Sequence, residues 1–142
     1  MPNDSLKLFR LSLVRVTSRE GFFDSFYDRF MGQSEEIADF FHHRNMPQLK
    51  KKLQETLQMV SESAEGRPGI SLYLEMLGRI HSRLHVDRKH FDMWRVALLE
   101  TVADYDECYD ERTRQAWDQV IGLAMAQMFE SSEPLPYCRT SG

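Results

Sequence analysis

Apolar residues along this chain recur at intervals of three and four. Leu6, Phe9, Leu13 and Val16 fall on one such stripe, and Phe23, Phe26 and Phe30 on a second. Met46, Leu49, Leu53, Leu57 and Val60 make a third, followed by Ile70, Leu74, Leu77 and His81. Phe91, Trp94, Leu98 and Val102 come next, then Trp117, Val120, Ala124 and Met128. Each stripe covers one face of a 3.6-residue helical period. No alternating run lies between Asn-Gly or Asp-Gly turns, so strands have no support.

Punctuation between the stripes agrees with this. Ser18-Arg-Glu-Gly21 separates the first helix from the second, and Ser34-Glu-Glu opens a short third with acid in its first turn. His42-His43-Arg44-Asn45 makes a corner, after which Met46 and Pro47 begin a helix, where proline is tolerated. Glu65 to Gly69 is a loop, Asp87 is a candidate cap, and Tyr105 to Asp110 links the last two long helices. The expectation is an all-α chain of six or seven helices, one domain over residues 1–142. Its core runs from about residue 5 to 130, and Ser131–Gly142 is a frayed tail.

Composition narrows the class. Formal net charge is -4 with signs mixed, which gives no basic footprint for nucleic acid. Cys108 and Cys138 stand far apart in no metal-like spacing, so a reducing, cytoplasmic compartment is expected rather than a disulfide framework. The start, MPNDSLKLFR, lacks the basic and apolar regions of a signal peptide. No segment approaches the ~18 uninterrupted apolar residues of a membrane span.

The candidate chemistry starts in LGRIHSRLHV, residues 77–86. His81 continues the inward stripe, and a lone histidine there is more often a core residue held by a hydrogen bond than a ligand. His81 and His85 could share zinc, but no third ligand stands nearby. What one inward imidazole can do is ligate a metal already held by four other nitrogens, as in haem. Such a pocket needs aromatic walls, and Phe22, Phe23, Phe26, Tyr27, Phe30, Phe40 and Phe41 supply them. A phenol on an apolar helix face, as at Tyr27, also needs a buried partner.

These residues carry a resemblance to the bacterial single-domain globins, over roughly residues 5 to 130. FFDSFYDRF, residues 22–30, resembles the helix that carries a distal tyrosine in flavohaemoglobin-type globins, at Tyr27. Fourteen residues later, Phe41 in IADFFHH is similar to the phenylalanine wedged against the haem. LGRIHSRLHVDRKHF, residues 77–91, resembles the helix end bearing the proximal ligand, His81, with Val86 packing on the ring. Trp117 in the last helix fits the same order. The resemblance implies the globin fold, up to eight helices packed at roughly 50° around a haem pocket. It also implies b-type haem, because no Cys-x-x-Cys-His motif is present.

Around that site the chain departs from the pattern it resembles. The position thirty-two residues before His81, where a distal histidine or glutamine is common, is Leu49, with Leu53 one turn further. A register shifted by one would bring Gln48 there but put Lys52 in the apolar stripe. The resemblance then implies that Tyr27 would be the main polar group above the iron, donating a hydrogen bond to dioxygen. Lys50 and Lys51 read as a solvated face. Lys52 falls at the pocket mouth, where it could pair with a haem propionate, or ligate iron as a lysine does in some algal globins. Ten residues after His81, where flavohaemoglobins carry a tyrosine that strengthens the proximal histidine, stands Phe91. The push on the iron is weakened even if Glu130 or Glu133 approaches.

The function that the resemblance implies is reversible binding of dioxygen or another diatomic gas. Alternatives are a nitric oxide dioxygenase, which would draw electrons from a separate reductase because no GxGxxG follows, and a gas sensor acting on a signalling partner. A globin-like regulatory domain without cofactor is disfavoured by His81, Tyr27 and Phe41 together. The expected partners are the gas, a reductase or signalling protein, and a second copy of the chain docked through the last two helices.

Overall fold

In a computed structural model, residues 3–41, 44–66, 69–83 and 88–132 are described, without the side chains of residues 3, 70–73, 81–83 and 129–132. Among the described residues the chain forms seven α-helices and no strand. They are α1 (Asn3–Thr17), α2 (Phe22–Met31), α3 (Glu35–Phe41), α4 (Met46–Ala64), α5 (Ile70–Arg83), α6 (Arg88–Tyr105) and α7 (Glu111–Ser132). Among the described residues no helix is long and apolar enough to cross a membrane.

The ends of these helices follow from local chemistry. Gly21 precedes α2 with φ of 89°, a left-handed conformation that favours glycine, and this lets the chain reverse after α1. The Ser34 hydroxyl accepts from the Ile37 N–H at 3.1 Å and starts α3. Asn45 caps α4 by accepting from the Gln48 N–H at 3.1 Å, with Pro47 in the first turn. Asp110 caps α7 through the Thr113 N–H at 2.8 Å. Asp87, the expected cap of α6, lies outside the described residues. The helix of α7 reaches Ser132, past the point expected to fray, a difference within the ordinary spread of helix ends.

Burial follows the stripes with one adjustment. On α2 the inward face is Phe22, Phe26, Tyr27 and Phe30, while Phe23 is half-buried. Phe22 turns inward because its ring meets Tyr105 edge-on at 5.8 Å. α7 runs through the interior and packs against α1, α4, α5 and α6. Phe9 of α1 meets Trp117 of α7 edge-on at 4.7 Å, and α2 packs on α6, where Phe26 meets Trp94 edge-on at 6.1 Å.

One polar knot ties this core. The Trp117 Nε1–H donates to Ser12 Oγ at 2.8 Å, and Ser12 donates to Asp106 Oδ2 at 2.5 Å. Arg15 clasps the same carboxylate through Nε at 2.5 Å and Nη2 at 3.0 Å, and the Cys108 N–H adds a bond at 2.9 Å. Burial alone would raise the Asp106 carboxyl. The bonds from Arg15, Ser12 and Cys108 outweigh it and hold the group below the usual carboxylate range.

Candidate functional site

Helices α2 to α7 all contribute to one cavity of about 510 Å³. Its α2 and α4 side is formed by Tyr27, Phe30, Leu49 and Leu53, with Phe40 and Phe41 of α3 at the edge. The opposite side is Leu74 and Leu77 of α5, Phe91 and Trp94 of α6, and Ile121, Ala124, Met125 and Met128 of α7. Because an i, i+4 spacing stacks side chains on one helix face, apolar stripes of this kind point their residues into a common interior.

Tyr27 is the polar group set deepest in that lining. It is 6% exposed, and its hydroxyl donates to the backbone carbonyl of Leu49 at 2.9 Å. Its ring is held edge-on against Phe26 at 5.0 Å and Phe41 at 5.8 Å. Burial pushes the phenol up to about 12, so at neutral pH it is an uncharged donor. The Leu49 carbonyl has two lone pairs, so it can accept this bond beside its helical one.

The mouth is polar. Lys52 and Arg44 line it from α4 and from the corner before it, and the Arg44 guanidinium lies 4.9 Å from the centre of the Phe40 ring. His90 and Glu36 face each other there, the imidazole Nε2 donating to Glu36 Oε1 at 2.7 Å, with Lys89 at 3.6 Å from the other oxygen. The bond from His90, with the nearby Lys89 charge, holds the Glu36 carboxyl below its usual range.

Of the residues singled out from sequence, Tyr27, Phe41, Leu49, Lys52, Leu53, Leu77 and Phe91 share this one lining. Gln48 is exposed, while Leu49 lines the cavity. Lys50 pairs with Asp24 of α2 at 2.9 Å, and Lys51 is exposed. His81 lies in α5 one turn after Leu77, and its side chain is outside the described residues, as are those of Glu130 and Glu133. His85 and Val86 lie wholly outside them.

Sequence reading missed the His90–Glu36 pair, Arg44 and Thr56. His90 stands directly before Phe91, whose inward position was legible. Its partner on α3 is 54 residues away, a contact that no local pattern encodes.

The walls can be tested against the group that the resemblance implies. Close-packed interiors leave few voids larger than a water molecule, so a cavity this large and this apolar suits a sizeable bound molecule. Lys52 and Arg44 at the mouth suit acidic substituents on it. Among the described residues no cluster of three or more His, Cys, Asp or Glu could hold a bare metal ion. Haem meets both conditions, an apolar body of that size and acidic substituents, and the residues fit it.

Comparison with known proteins points the same way. A family model described as Globin matches residues 24–128. The chain is 29% identical over 140 residues to an anaerobic nitrite reductase of Gossypium hirsutum, covering 90% of this chain and 82% of that protein. It is 30% identical over 134 residues to an anaerobic nitrite reductase of Arabidopsis thaliana, covering 89% and 78%. Among solved structures it is similar to the protein PA3967 of Pseudomonas aeruginosa PAO1, described as structurally highly homologous to a human hemoglobin. The TM-score is 0.85 at 30% identity, over 92% of this chain and 99% of that one.

Proposed function

The chain belongs to the globin family, and on that premise we propose that it holds haem b in the 510 Å³ cavity and binds dioxygen or another diatomic gas reversibly. One observation carries the reading: a neutral phenol, Tyr27, is set 6% exposed among the aromatic and aliphatic residues that make most of the described lining. Haem iron supplies the site for the gas. The chain's own residues do the rest.

His81, which follows Leu74 and Leu77 at helical spacing in the sequence of α5, would be the residue that holds the haem iron. Phe41 and Phe91 would confine the ring, and Leu49 and Leu53 would keep water from the gas side; the family resemblance gives Val86 the role of packing on the ring. Lys52 receives a propionate. Tyr27 Oη would become the hydrogen-bond donor to the guest by turning its one O–H away from the Leu49 carbonyl, and a phenol shifted up to about 12 stays protonated for that task at all physiological pH. A single globin domain, a cytoplasmic setting and a reductase or signalling partner belong to the same proposal.

The test is the absorption spectrum of the purified, haem-supplemented protein in its ferric, ferrous and carbonyl forms. A Soret band that shifts on reduction and again with carbon monoxide supports the reading, and a chain that takes up no haem refutes it. Should His81→Ala give the wild-type spectrum, the axial ligand is misassigned. A low-spin ferric spectrum lost in Lys52→Ala would move that lysine from the propionate to the iron.

A second reading comes from the two plant relatives, which are named for anaerobic nitrite reduction. It needs an electron donor and a proton source, and Tyr27 at about 12 is a poor acid. Anoxic conversion of nitrite to nitric oxide by the reduced protein, at a rate above that of free haem, would favour it.

A further inference from the structure

The geometry points to Gly78 as the residue that sets the width of the cavity. Its missing side chain lets α5 lie directly on the α7 backbone, and that approach fixes how far the α5 wall stands from Tyr27 and Leu49. The inference rests on the haem reading above and extends it to a residue outside the lining.

Gly78 is buried in α5 against α7. A Cβ placed on it would press well inside van der Waals contact with the Met128 carbonyl oxygen. It would also lie 3.2 Å and 3.3 Å from that residue's carbonyl carbon and Cα. These are backbone atoms of a helix, which cannot swing aside as a side chain can. A side chain at 78 therefore displaces one helix from the other, on the order of 1 Å, to regain ordinary contact distances.

Gly122, inside α7, makes the contrast. A Cβ there would find only the end of the Arg95 side chain, at an ordinary 3.7 Å. Glycine is unfavourable inside a helix, so a glycine that the packing needs differs from one that it tolerates.

The crossing sits at the cavity floor. Leu74 and Leu77 of α5 line the cavity, as do Ala124, Met125 and Met128 of α7. His81 follows Gly78 by three residues on the same helix. Tyr27 of α2 is bonded to the Leu49 carbonyl of α4, so these two lining residues are fixed to each other. Packed interiors pass strain on rather than absorbing it, so a displaced α5 changes the gap between the two walls. Gly78 is thus a positioning residue. It touches neither cofactor nor gas, and it acts through Leu77 and His81.

The experiment compares wild type, Gly78→Ala and Gly122→Ala, each expressed with excess haem. Three quantities are measured: haem release to a high-affinity acceptor protein, the iron–histidine stretching frequency of the ferrous form, and the helix content and melting of the haem-free chain. Gly78→Ala is expected to release haem about tenfold faster or more, with a displaced stretching band, while the haem-free chain keeps its helix content. Gly122→Ala is expected to match wild type. Unchanged release and stretching in Gly78→Ala overturns the inference. So does a Gly78→Ala chain that cannot fold even with haem, since the glycine would then serve the fold and not the pocket. If wild type takes up no haem, the functional reading fails and this inference falls with it; if only the Gly78→Ala contrast fails, the reading stands.

Discussion

At the scale of a residue, Tyr27 shows how little of a side chain's role resides in its identity. Its inward face was legible in the sequence as a consequence of a helical period, whereas its spacing to Phe41, in another helix, carried meaning only through the family resemblance. Its partner was not legible. The hydroxyl meets the Leu49 carbonyl, a main-chain atom that no pattern of side chains announces. His90 and Glu36 escaped for a related reason, since their bond joins α3 to α6 across the cavity mouth. Two outcomes are expected of Tyr27→Phe. Losing one buried donor should speed release of dioxygen by about tenfold, read by stopped flow, while carbon monoxide, a weak acceptor, changes little. The second concerns alkali. A phenol raised from about 10 to about 12 by folding contributes stability that is complete below pH ~10 and lost as pH rises through ~12, because only the unfolded chain ionises between them. Urea unfolding at pH 9 and pH 11.5 should show that loss in wild type and less of it in Tyr27→Phe. Equal losses in both would mean that other groups dominate.

Single elements were the most legible scale. The Ser34 and Asn45 caps, the Gly21 reversal and the Met46–Pro47 start each follow from the residues at the junction, so reading them required nothing distant. What joins the elements was hidden. Ser12 sits in α1 as an unremarked polar residue, yet it receives the indole N–H of Trp117 and donates to Asp106, 94 residues away. The Asp106 side chain is fully buried and Arg15 only partly so, which makes the carboxylate the vulnerable partner. Asp106→Ala should cost about 2–4 kcal/mol, because it strands the Ser12 hydroxyl and the Cys108 N–H along with the guanidinium. The sign of its pH dependence follows from the lowered carboxyl. Its contribution is present above the unfolded value near pH 4 and disappears as pH falls below that. Chemical denaturation at pH 7 and pH 3 measures both. A variant within about 0.5 kcal/mol of wild type at pH 7 would contradict the view that this knot secures α1 to α7.

For the molecule as a whole, helix number and order were readable, since a 3.6 period announces each element and the breaks count them. The cavity was not, because its volume is what remains after side chains from six helices have packed, a quantity set by no one of them. An apolar void without its guest forfeits contacts along every wall. Haem at about a thousand times its dissociation constant would add ~4 kcal/mol to stability, enough to raise the melting temperature of a domain this size by about 10 °C or more. Calorimetry of haem-free and loaded protein checks this, and equal midpoints would mean that the cavity holds nothing under those conditions. α7 gives this linkage a particular shape. Trp117 anchors the helix in the knot beneath α1, while Met125 and Met128, further along the same rod, wall the cavity. The guest therefore leans on a strut that cannot loosen at one end alone. Its departure should be felt as a lowered barrier to opening along the entire strut. Amide hydrogen exchange from residue 117 to 128 should slow together on loading, whereas α3, outside that lever, responds by itself.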